Sequence, residues 1–74
     1  MTKRLNTLRP GERGIVEAIH GDSAVTQRLA EMGMVPGATC EVVRYAPLGD
    51  PIDILLDGYH LSLRKRDAAH VSLA

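Results

Sequence analysis

Apolar and polar residues alternate over most of this chain, and the period changes once. From Gly14 to His20 the alternation has period two: Ile15, Glu17 and Ile19 point one way, Val16, Ala18 and His20 the other. Thr39 to Tyr45 reads as a second strand. Ile52, Ile54 and Leu56 alternate with Asp53, Leu55 and Asp57, so a third strand has one strongly apolar face. Tyr59 to Arg64 returns with Leu61 and Leu63 inward, and Asp57-Gly58 between the two is a two-residue hairpin signal of the primed kind. Val71 and Leu73 form a last strand. Leu5 to Leu8 reads as a short first strand or an arm, and Lys65 to Ala69 as one helical turn. Five short strands with regular turns predict a mainly β fold, a small closed or partly closed barrel. Closure would remove the exposed edges that so short a sheet otherwise offers.

The stretch from Gln27 to Thr39 breaks that alternation and organises the chain. Val25, Leu29 and Met32 recur at i, i+4 and i+7 and share one face of a short amphipathic helix. Asp22 or Ser23 is its N-cap. Gly33 stands where a left-handed C′ residue belongs, which predicts a Schellman ending with Met34 packed on Leu29. Pro36-Gly37 then predicts a type II turn straight into the strand at Thr39. Leu29, Gly33, Pro36 and Gly37 are therefore the expected structural residues. Pro10-Gly11 also precedes a strand, in a look-alike unit, but one such pair is too little to establish a repeat.

Composition narrows the class. The chain has 74 residues, no Phe or Trp and two Tyr, so one small domain over residues 1–74 must build its core from aliphatics. The longest apolar runs fall far short of the ~20 residues of a membrane span, and Met-Thr-Lys-Arg is not followed by a signal-peptide core. Cytoplasmic residence without membrane insertion is expected. The single Cys40 cannot form an internal disulfide, in keeping with a reducing compartment. Nine basic and nine acidic residues cancel. A general nucleic-acid binder draws its affinity from neutralising phosphates, so this balance argues against DNA or RNA as the main partner.

Four segments in order carry a resemblance: Leu8-Arg9-Pro10-Gly11-Glu12, Arg28 to Gly37, Arg44 to Pro51 (Arg-Tyr-Ala-Pro-Leu-Gly-Asp-Pro) and Leu61-Ser62-Leu63-Arg64. In them the chain resembles the ferrous iron transport protein A (FeoA) family from about Leu5 to Leu73. The resemblance implies an SH3-like barrel with a helix between strands. It implies a small cytoplasmic accessory of the membrane ferrous iron transporter FeoB, which carries a GTPase domain. A related domain ends some iron-dependent repressors, so a regulatory SH3-like domain with metal-responsive or weak nucleic-acid interaction is the alternative.

Candidate chemistry is sparse. His20, His60, His70 and Cys40 are the available soft or borderline metal ligands, but none has Cys-x-x-Cys or His-x-x-x-His spacing. No dedicated intrachain metal site is expected, although surface histidines can trap a metal between molecules. Ser23, Ser62 and Ser72 have no evident base, Cys40 is expected in the core, and no Gly-Lys-Ser/Thr follows a glycine loop. Neither catalysis nor a bound nucleotide or other cofactor is expected. Leu48 stands among turn formers, either folded back as a plug of the barrel end or presented as an apolar anchor. The expected partner-binding set is Leu48, Gly49, Asp50, Pro51 and Arg44, with Arg28 on the exposed helix face beside Gln27 and Glu31. Arg64-Lys65-Arg66 is expected as a solvated face, partly offset by Asp67. A weak homo-oligomer is left open.

Overall fold

The computed structural model describes residues 3–74; Met1 and Thr2, part of the expected domain span, lie outside the described residues. Among the described residues six strands form one antiparallel sheet: β1 (Lys3–Arg4), β2 (Arg13–Ile19), β3 (Thr39–Tyr45), β4 (Ile52–Leu56), β5 (Tyr59–Leu63) and β6 (Val71–Leu73). Their order across the sheet is β1-β6-β2-β3-β4-β5. One helix, α1 (Ser23–Glu31), joins β2 to β3, and a single turn, α2 (Lys65–Ala68), joins β5 to β6. The sixth strand is the piece the alternation does not mark. Lys3 and Arg4 pair with Leu73 and Ser72, and Leu5–Thr7 then turns as a 3-10 helix that buries Leu5.

Among the described residues the sheet does not close. The chain turns from β5 directly into α2, and α2, not a strand, packs on the Leu5–Thr7 turn. β1 and β5 remain edges, contrary to the expectation that closure would remove them. The core lies inside the curl of the sheet, where Leu5, Leu29, Met34, Ile52, Ile54 and Leu63 are fully buried among smaller aliphatics. The face read for β4 is real: Ile52, Ile54 and Leu56 are buried. Asp57 (φ 49°) and Gly58 make the left-handed pair of a primed hairpin turn.

The α1 ending follows the expected geometry. The Gly33 N–H donates to the Ala30 carbonyl (2.9 Å) and the Met34 N–H to the Leu29 carbonyl (3.0 Å), the two bonds of a Schellman motif. Gly33 has φ +94°, which a Cβ would strain. At the other end the Asp22 carboxylate accepts from the Val25 N–H at 3.0 Å, so Asp22 is the N-cap. The face assignment is corrected at one position. Leu29 is fully buried and Val25 packs on the core, but Met32 is 38% exposed. Met32 is the C-cap, and the chain leaves the helix there before its side chain reaches the sheet.

The two look-alike units have a structural meaning. Each Pro-Gly turn docks on the middle of the other unit's strand. Gly11 N–H donates to the Val42 carbonyl (2.8 Å) and Val42 N–H to Glu12 (3.0 Å); Gly37 N–H donates to Val16 (2.8 Å) and Val16 N–H to Ala38 (2.8 Å). Gly14 faces Cys40 at the centre, so β2 and β3 are related by a local two-fold. Both strands carry an irregularity at matching places, after Val16 and after Val42. An extra residue in a strand flips the side chains beyond it to the other face. That is why Ile19 packs on the core although period two places it with exposed Ile15, and why Tyr45 turns inward while Arg44 faces out.

Candidate functional site

The loop between β3 and β4 is short and internally bonded. Gly49 N–H donates to the Ala46 carbonyl (2.7 Å), and Ala46 N–H donates to Pro51 (3.0 Å). These bonds close the loop beneath Leu48, which is 97% exposed. Leu48 is therefore not a plug. The barrel-end reading is ruled out, and a large apolar side chain stands in solvent on a backbone that two prolines and its own hydrogen bonds hold in place.

Asp50 is exposed and also has a bond within the fold. Its Oδ1 accepts the Lys65 N–H at 2.9 Å, tying the loop to the first residue of α2. The Lys65 ammonium lies 5.8 Å from the Tyr45 ring centre, in cation–π range. The Tyr45 hydroxyl reaches the Asn6 and Leu8 carbonyls, and burial, then Glu12, raises its pKa. Arg44 is held by Asp53 (Nε to Oδ2, 2.8 Å). The Ser62 hydroxyl and Arg44 together hold the Asp53 carboxyl below its ordinary range. Asp50, Pro51, Ser62 and Arg64 line a shallow depression beside the loop.

α2 also reaches α1. Arg28 donates to the Asp67 carboxylate at 2.7 Å; Asp67 is buried, and half of the Arg28 side chain stays exposed. The loop and α1 thus meet the same four-residue turn, a connection that local sequence does not reveal. Asp67 serves Arg28 and does not offset the adjacent cations. Arg64, Lys65 and Arg66 are exposed, and among the described residues none of them has an ion-pair partner. Of the expected set, Leu48 to Pro51 and Arg44 gather around the β3–β4 loop, while Arg28 is set apart, across α2. Tyr59, the first residue of β5 after the hairpin turn, is 75% exposed, which its place in an alternating strand does not announce.

The histidines do not converge. His20 and His70 are joined through the backbone, His20 N–H to the His70 carbonyl at 2.7 Å, and His60 lies apart on β5. The Ser72 hydroxyl lies within hydrogen-bond reach of both the Ala18 carbonyl (3.2 Å) and His20 Nε2 (3.1 Å). Among the described residues no three His, Cys, Asp or Glu side chains gather as a metal site. Cys40 packs in the core with its Sγ 3.6 Å from Met34 Sδ. Burial first, and Asp57 second, push its thiol up to about 11. Among the described residues no helix is long and apolar enough to cross a membrane.

Comparison with known proteins adds to this geometry. The FeoA domain family matches residues 3–74. The Fe(2+) transport protein A/Fe(2+) transporter FeoB fusion protein of Porphyromonas gingivalis is 37% identical over 70 residues, covering 95% of this chain. The chain spans only 8% of that protein's length. The crystal structure of an iron uptake regulatory protein (FeoA) superposes with a TM-score of 0.89 at 35% identity, over 100% of this chain and 96% of that one. The FeoA of Stenotrophomonas maltophilia, a prokaryotic SH3 domain protein crystallised with zinc, superposes at 0.80 with 28% identity, over 100% and 89% of the two chains.

Proposed function

This chain belongs to the FeoA domain family, and from that premise we propose that it is a cytoplasmic, non-enzymatic accessory of ferrous iron uptake. Its partner is the cytoplasmic GTPase region of a FeoB-type transporter, and the β3–β4 loop is the contact. The observation that carries this reading is the 97% exposure of Leu48 on a loop already tied down by its own hydrogen bonds. Burying such a side chain in an apolar pocket contributes about 1.5 to 3 kcal/mol. A loop that is ordered before binding loses little conformational entropy when it docks. Arg44, fixed by Asp53, and Arg64, which lines the depression beside the loop, supply polar contacts that set register.

The fusion in the Porphyromonas gingivalis relative fits such a role, since tethering a weak module to its target raises its effective concentration. The non-enzymatic part rests on the side chains themselves. The Ser62 hydroxyl donates to Asp53 and the Ser72 hydroxyl to the Ala18 carbonyl, while Cys40 is a buried neutral thiol. None is an activated nucleophile. The test compares binding of this chain to the isolated transporter GTPase region and to duplex DNA at physiological salt. Saturable binding to the former and none to the latter is expected. The reverse result would favour a regulatory domain.

A further inference from the structure

The two edges of the sheet are built differently. Of β1 the structure describes Lys3 and Arg4, and both are exposed cations. Edge strands that present charged side chains of this kind resist pairing with other chains. β5 (Tyr59–Leu63) has none of those devices. It is five residues long, carries no Lys, Arg, Asp, Glu or Pro, and pairs with β4 in unbroken register. Among the described residues no backbone group outside β4 bonds to Tyr59–Leu63.

The hairpin sets which groups face outward. In a two-residue hairpin the residues flanking the turn exchange both ladder bonds, and bonded and non-bonded pairs then alternate. Leu56·Tyr59, Ile54·Leu61 and Ile52·Leu63 are thus the bonded pairs of β4 and β5. His60 and Ser62 turn their N–H and C=O groups to the free edge, and both residues are exposed.

We propose that this edge pairs with a second copy of itself. An antiparallel β5–β5 pair centred on Leu61 sets His60 opposite Ser62 of the second copy and Ser62 opposite its His60. Each of these pairs exchanges both backbone hydrogen bonds. Leu61 then meets its own counterpart at the non-bonded position, where side chains approach most closely. Leu61 is only half-buried on its own chain, and this contact covers its remaining side. The strand brings no like charges together, and the net charge of zero leaves no long-range repulsion between copies. One short paired edge buries far less than the ~1,600 Å² of a standard interface, so the dimer is weak, with Kd on the order of 0.1 to 1 mM.

The experiment is sedimentation equilibrium from about 10 µM to 1 mM, spanning that Kd range, with amide NMR spectra over the same series. A monomer–dimer equilibrium is expected, with the His60 and Ser62 amides moving with concentration and the loop Ala46–Pro51 unmoved. His60→Pro removes an outward donor without touching the β4 ladder, and it should weaken association about tenfold or more. His60→Lys does the same by charging the edge and serves if the proline variant does not fold. Leu48→Asp should dimerise like the parent, which separates this edge from the transporter contact. A chain that stays monomeric to 1 mM, shifts confined to other strands, or undiminished dimerisation of both His60 variants would overturn the proposal. Edge amides that respond to the transporter's GTPase region and not to concentration would overturn it too, in favour of a strand from that partner.

Discussion

Leu29→Ala tests how α1 docks. Leu29 is fully buried and is the carbonyl acceptor of the Schellman bond from Met34, itself fully buried. Truncation removes roughly three methylene equivalents of burial, about 2.4 kcal/mol, and adds a cavity term, for a total near 3 to 4 kcal/mol. A domain of this size holds on the order of 5 kcal/mol, and each kcal/mol moves its melting temperature about 4 to 8 °C. The variant should therefore melt at least about 12 °C below the parent in a calorimetric or circular-dichroism scan. Met32→Ala is the control. Met32 recurs at the same helical spacing but is 38% exposed, so its loss should lower the melting temperature by only a few degrees. Equal losses for the two variants, or a Leu29→Ala that melts within about 2 °C of the parent, would refute the docking of α1 through Leu29.

Two further changes probe the core and the turn. Gly33→Ala should cost about 1 to 2 kcal/mol, read as a shift in denaturation midpoint. The added Cβ would sit 3.5 Å from Leu56, an ordinary contact, so the cost comes from φ +94° alone. The Cys40 thiol titrates at about 11 in the fold against 9.0 for the unperturbed group. The unfolded chain then loses its proton first, so this contribution to stability is intact below pH 9.0 and is lost as pH rises toward 11. Cys40→Ala should flatten that alkaline decline, leaving the part due to Tyr45, whose pKa is also raised. A thiol reagent at pH 8 should modify native Cys40 only at the rate of opening, which denaturant accelerates.

Local chemistry made much of this fold legible. The glycine after α1, the Pro-Gly turns and the Asp57-Gly58 hairpin each demand a backbone conformation that few residues permit, and each appears where the sequence places it. The apolar face of β4 is equally plain, because no bulge interrupts its period. What was hidden has a common cause. The irregularities after Val16 and Val42 flip Ile19 and Tyr45 inward without any compositional mark. The Arg28–Asp67 ion pair and the Asp50 carboxylate on the Lys65 N–H join residues far apart in sequence, so no local pattern announces them. Leu48 was legible as a loop residue, but its direction depends on the bonds Gly49 N–H to Ala46 and Ala46 N–H to Pro51, which close the loop beneath it and which turn composition alone does not specify.

The most direct test of the proposed transporter contact is the affinity of Leu48→Asp for the cytoplasmic GTPase region of the transporter, measured by calorimetry beside the parent chain. Leu48 touches little of its own fold, so the variant should keep the parent's melting temperature. Loss of 1.5 to 3 kcal/mol of apolar burial, with an aspartate forced into the same pocket, should weaken binding by at least about tenfold. A folded Leu48→Asp variant that binds as tightly as the parent would contradict the account and move the contact away from the β3–β4 loop.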